Sequence, residues 1–146
     1  MAETLGTLSD KLTIVKLKQY HTEDARRLAS LERQEAQLRD EIDEFVAAAF
    51  GGKIPLEKLT FSANKVYKKE GNETREINGG IGGIFSFLAD TNCKLWHVQE
   101  KVYEFETVPV EEKDSIVKDL AILNLERNQC IDEMDKTFRS IIESIV

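Results

Sequence analysis

Proline occurs only twice, at Pro55 and Pro109, and the run from Thr7 to Phe50 contains neither proline nor glycine. Little here would stop a helix from propagating. Cysteine also occurs only twice, as Cys93 and Cys130, with no CxxC pair. That excludes a disulfide framework and a thiolate zinc knuckle, and leaves two reduced thiols as the expectation. Long apolar runs are missing: the longest uncharged stretch, Ile77 to Ala89, has Gly or Asn at five of its thirteen positions, which excludes a membrane-spanning helix. The opening Met1-Ala2-Glu3-Thr4 lacks the basic and apolar regions of a signal peptide, so a cytoplasmic chain without membrane insertion is expected. Basic residues are in deficit, 20 against 27 acidic for a net charge of −7, which argues against nucleic acid as a partner.

What is present suits helices. Of 146 residues, 41% are hydrophobic and 32% charged, rich in Glu, Lys and Asp. This predicts a single all-α domain over 1–146, an antiparallel bundle of three or four long helices. The pattern Thr7-Leu8-Ser9-Asp10 resembles a capping box, and Gly51-Gly52 a helix stop. One helix over 7–50 would be about 60 Å long at about 1.5 Å per residue, and would have to bend or pair as a coiled coil. Residues 53–83 form a connecting segment, read as a short helix after Pro55 and a loop. A β-hairpin through Lys65–Lys69 and Thr74–Ile77 is the alternative. Residues 84–146 form a helical hairpin, with helices from Ile84 to Glu104 and from Glu111 onward, and the turn near Thr107-Val108-Pro109.

Read at alternating steps of three and four, the first helix has the seam Ile14, Leu17, His21, Asp24, Leu28, Leu31, Glu35, Leu38, Ile42, Phe45, Ala49. The last helix has Val117, Leu120, Asn124, Arg127, Ile131, Met134, Phe138, Ile141, Ile145. Polar groups on an apolar seam cost several kcal/mol unless paired, so His21, Asp24, Glu35, Asn124 and Arg127 point to a shared polar layer or to a seam that splays into water. The two histidines also echo each other. Tyr20-His21 with Asp24 parallels Trp96-His97 with Glu100, and each unit sets an imidazole and a carboxylate one turn apart. Facing units of this kind would suit a divalent metal held by His21, Asp24, Glu35, His97 and Glu100; two structural His–acid pairs are the alternative. Glu32-x-x-Glu35 resembles the magnesium-binding helix of all-α nucleotide pyrophosphohydrolases, but the second carboxylate motif of that family is absent. The glycines at 79, 80, 82 and 83, with Lys68, Lys69 and Arg75 near in sequence, read as a hinge or a weak anion cradle.

A wider resemblance rests on Gly6 to Ile14 followed by Leu17-Lys18-Gln19-Tyr20-His21, on Asn92 with Leu95-Trp96-His97 and Glu100, and on Asn124 with Arg127-Asn128-Gln129. These segments resemble an uncharacterised bacterial all-helical family (a domain of unknown function) marked by a Leu-Ser-Ile and an Arg-Asn-Asp motif. Here Leu12-Thr13-Ile14 has Thr for Ser, Arg127-Asn128-Gln129 has Gln for Asp, and the motif order is reversed. The resemblance covers about half the chain. It implies that Asn124, Arg127 and the His-containing segments belong to recurring motifs, with a link to surface-polysaccharide synthesis; Asn92, Asn124, Arg127 and Asn128 are the candidate ligand-binding residues, with sugar-nucleotide metabolism as an expected setting. It implies no mechanism, because the family has no established activity. The leading expectation is a non-enzymatic helical module for protein interaction or self-association as a homodimer. The alternative is a metal-dependent or small-ligand-binding enzyme with its site between the helices.

Overall fold

The computed structural model describes residues 2–62, 74–77 and 79–145. Among them the chain is all-helical, with helices α1 (Leu5–His21), α2 (Ala25–Phe50), α3 (Ile81–Tyr103) and α4 (Val110–Ile145) and no strand. Single 3₁₀ turns lie at Leu56–Lys58 and Phe105–Thr107. No helix among the described residues is long and apolar enough to cross a membrane. Most of the alternative hairpin, Lys65–Lys69, lies outside the described residues; Thr74–Ile77 runs without regular structure.

The expected helix over 7–50 is two helices. Thr22 is extended (φ −94°, ψ 140°), and Asp24 Oδ1 accepts from the backbone N–H of Arg26 at 2.9 Å and of Arg27 at 3.1 Å, capping α2. A short acid that bonds freed amides favours a new start over continuation. α1 itself begins a turn earlier than the Thr7–Asp10 pattern implies. Thr4 is its cap, and its N–H donates to Thr7 Oγ1 at 2.8 Å. Ser9 and Asp10 are thereby sent into the interior, where both are buried. At the far end of α2, Gly52 takes φ +71° and Lys53 N–H donates to Ala48 O, closing the helix as Gly51-Gly52 predicts.

Because the chain turns back at Thr22-Glu23-Asp24, α2 runs antiparallel along α1. Leu8 and Val15 pack with Leu31 and Leu38, and Gln19 reaches the carbonyl of Leu31 at 3.2 Å. α3 and α4 form the second pair, and α1 touches both of them. The larger core gathers Leu5, Ala49, Leu59, Ile84, Leu88, Cys130, Met134, Phe138 and Ile142.

The seam of α4 is rotated from the expected one. Its buried ridge steps by four through Glu126, Cys130, Met134, Phe138 and Ile142, whereas Val117, Ile141 and Ile145 are exposed. Straight helices packing through their i, i+4 ridges drift around the axis relative to a heptad seam. Burial pushes the Cys130 thiol up to about 12, so it stays protonated.

α1 lies close against α4 at Gly6, where an added Cβ would lie 2.6 Å from the Ile131 carbonyl oxygen. Gly6→Ala should therefore destabilise the protein by about 1–3 kcal/mol despite alanine's better helix propensity. Chemical denaturation gives the test; a stability gain would show that α1 does not sit this close.

Candidate polar layer and cleft

Two adjacent residues of α3, Thr91 and Asn92, face two adjacent residues of α4, Glu126 and Arg127. Neighbours on a helix point about 100° apart, so each pair sends one side chain to either side of the α3–α4 interface. On the α1 side, Asp10 is 4% exposed and takes Arg127 in a two-pronged pair, Nε to Oδ1 at 2.8 Å and Nη2 to Oδ2 at 2.5 Å. Asn92 Nδ2 donates to Asp10 Oδ1 at 3.0 Å and to Thr13 Oγ1 at 2.7 Å, while the Thr13 hydroxyl donates to the Asp10 carbonyl at 2.8 Å. Hydrogen bonding to Asp10 raises the Arg127 guanidinium above its ordinary value, so the guanidinium keeps its charge.

On the opposite side, Glu126 is 3% exposed and accepts from the backbone N–H of Arg75 at 3.0 Å and from its Nη2 at 3.0 Å. The same guanidinium reaches Asp90 at 3.1 Å and Thr91 Oγ1 at 3.3 Å, and lies 4.3 Å over the Phe87 ring. Its bond to Glu126 raises its pKa too. Just over two turns further along α4, Asp135 Oδ1 accepts from the Gly6 N–H at 2.7 Å, in the first turn of α1. Burial nevertheless pushes this carboxyl up to about 6, more than its hydrogen bonds pull it down.

A polar layer thus crosses the molecule, but its members are mostly not those the seams name. Of the expected metal set, Asp24 caps α2, and Glu35 accepts from Gln19 at 2.9 Å and pairs with Lys16 at 3.1 Å. His21 stacks on Trp96, ring centroids 4.6 Å apart at 11°, while the exposed His97 lies 3.6 Å from Glu100. Because α1 meets α3 at Trp96, the next residue, His97, is turned away from His21. Among the described residues no three His, Cys, Asp or Glu side chains gather in a metal-holding group. In the expected anion cradle, Lys68, Lys69 and Asn78 lie outside the described residues, and Arg75 is committed to Glu126.

The ligand set fares differently. Asn92, Asn124 and Arg127 line one cleft of about 160 Å³ with Ile14, Leu17, Leu95, Trp96 and Gln99. Asn124 is exposed and donates to the Leu120 carbonyl of its own helix, and Asn128 is half-buried on α4 without lining the cleft. The segments that carry the family resemblance also converge, since Thr13, Asn92 and Arg127 all meet at Asp10. Comparison of the chain with protein-family models, with curated proteins and with solved structures finds no match.

Sequence reasoning did not assign Asp10, Glu126, Arg75 and Asp135 to this layer; it read Asp10 as part of a helix cap and Arg75 as part of an anion cradle. The signal for Glu126 was present: it lies four residues before Cys130 on the ridge that continues through Met134. Arg75, from an irregular segment far away in the chain, carried no such signal.

Two outcomes follow. Arg127→Ala should cost about 3–5 kcal/mol, because it strands the buried Asp10 carboxylate. Replacing both Asp10 and Arg127 by leucine should cost less than the single change, as a double-mutant cycle by urea denaturation would show. Asp135 binds a proton in the folded chain up to about pH 6 that the unfolded chain has released by about pH 4, so its contribution falls as pH rises through that window. Asp135→Asn keeps the acceptor for Gly6 and cannot ionise. It should gain about 2–4 kcal/mol over the parent between pH about 4 and 7. A difference that stays flat across that range would rule out a raised Asp135.

Proposed function

We propose that the chain is a non-enzymatic helical-bundle module of the cytoplasm that works by associating with another protein or with a second copy of itself. The supporting observation is a set of large exposed apolar side chains, some at each end of the α3–α4 pair. Tyr20 is 85% exposed, Tyr103 81%, Val110 80% and Val117 55%. Tyr103 closes α3 and the two valines lie near the start of α4, at the end where α3 turns into α4; Tyr20 lies near the end of α1, and Phe50, Phe85, Ile141 and Ile145 are exposed toward the opposite end. Large exposed apolar groups gathered on one surface mark interaction sites. The buried charges of the polar layer support the same reading, since Asp10 with Arg127 and Glu126 with Arg75 neutralise each other and hold helices together.

A second reading is favoured by the convergence of Asn92, Asn124 and Arg127 on one cleft. On it the chain binds a small ligand beside Trp96, in line with the sugar-nucleotide setting expected from the sequence. A thermal shift with a sugar nucleotide, absent in Asn124→Ala, would support it; Asn124 is exposed, so the substitution leaves the fold intact. No shift in the parent protein would sink it.

Sedimentation in an extract of the native cells tests the leading reading. The protein should travel as a species heavier than its 16.6 kDa monomer, and Val117→Lys should travel lighter at unchanged thermal stability. Monomeric sedimentation of the parent protein, both in extract and when pure, would overturn it.

A further inference from the structure

Beyond the end of α2 the chain is fastened at several points. Gly52 takes φ +71°, Lys53 N–H donates to the Ala48 carbonyl at 2.9 Å, and Lys58 N–H donates to the Pro55 carbonyl at 2.9 Å. Leu59 is fully buried, and Ile54 and Leu56 pack against the larger core. Between this turn, the C-terminal half of α2 and the start of α1 lies a cleft of about 530 Å³, with Leu8, Phe45, Ile54 and Pro55 as its apolar lining. A preformed cleft of about 300–1,000 Å³, mostly apolar with a few polar groups, is the usual form of a small-molecule site.

The charges in the lining come from different elements. α2 contributes Glu41 and Glu44, three residues apart and so on one face of the helix, and the turn contributes Lys53 and Lys58. Among the described residues none of these four side chains takes part in an ion pair. Their one side-chain hydrogen bond is from Gln37 to Glu41 at 3.0 Å. Glu3, the remaining carboxylate of the lining, is already committed to Lys11 and Thr7. Two ammonium groups and two carboxylates thus border one cleft without pairing with each other.

That balance selects the ligand. A simple anion here meets two carboxylates of its own sign, and a simple cation meets two lysines. A molecule with both charges at separate ends, and an apolar body between them for Phe45 and Ile54, complements every group of the lining. A short peptide has this form. In a dipeptide the charged termini stand about 7 Å apart, at about 3.5 Å per residue, and the side chains supply the apolar body.

We infer that the cleft between α1, α2 and residues 53–58 binds a short zwitterionic peptide with apolar side chains, its ammonium end at Glu41 and Glu44 and its carboxylate end at Lys53 and Lys58. The site is separate from the cleft beside Trp96, and it stands or falls independently of the association reading.

Isothermal titration calorimetry of the intact protein with leucyl-phenylalanine is the test, run beside its N-acetylated form, its C-amidated form and glycyl-glycine. The free dipeptide should bind saturably at one site. Acetylation and amidation should each weaken binding about fivefold or more, and glycyl-glycine should not saturate. Glu41→Gln with Glu44→Gln should bind the free and acetylated peptides equally. Lys53→Gln with Lys58→Gln should bind the free and amidated peptides equally. Lys53, Lys58 and Glu44 are exposed and Glu41 keeps an acceptor for Gln37, so both double variants should melt with the parent. Amide chemical shifts of Leu8, Phe45 and Ile54 follow any binding that releases no heat. No saturation by either readout, equal affinity for the acetylated or the amidated peptide, or variants that discriminate as the parent does would overturn the inference.

Discussion

The carboxylate of Asp10 sits on α1 with almost no exposure to water, and its partners there come from two other helices, Arg127 from α4 and Asn92 from α3. Taking a lone charge out of water costs far more than a small domain's whole margin of stability. The three helices are therefore bound to one mutual arrangement, in which each of these groups finds the others. Gly6 and Asp135 supply a second fixed point one turn away. Two points along the α1–α4 contact set both the axial position of α1 and its rotation, and the apolar residues that follow fill the space so defined. Had the contact been apolar throughout, a slip of one turn would have cost little.

Arg75 does the same work on the other side of the α3–α4 interface. It holds residues 74–77 against Glu126, Asp90 and Phe87, so an irregular segment is tied to the helices by charge as well as by Ile77, which packs against the core. The two ion pairs form a layer with different packing on its two sides. On the side of Cys130 and Met134, the helices enclose a dry core. On the side of Trp96, α1 soon ends, α3 and α4 continue as a pair, and their α1-facing side is left open. The cleft and the aromatic stack lie at that boundary.

Much of the fold could be read from the chain. Scarce proline and abundant helix formers lead to an all-helical fold, and Gly51-Gly52 to the end of α2. The polar layer was legible as a need, since polar residues on apolar seams demand partners, and Asn92 and Arg127 are among its members. Which other residues would answer was not legible. A heptad template placed Asn124, Ile141 and Ile145 inward and passed over Glu126, because ridge packing at steps of four rotates α4 away from that template. His21 and His97 look equivalent in sequence, yet a rotation of about 100° between Trp96 and His97 separates them.

What the sequence determined by itself is local. Capping residues, glycine stops, propensity and charge act within a few residues of one another, and so the existence, type and most ends of the helices follow from composition and spacing. What only the tertiary structure decided is pairing. Asp24 could have been a seam acid until the chain turned at Thr22 and made it a cap. Asp10 and Arg127 are separated by almost the whole length of the chain, as are Gly6 and Asp135. Their energies come from burial and from distances of about 3 Å that no local pattern encodes, because they exist only once the helices have come together.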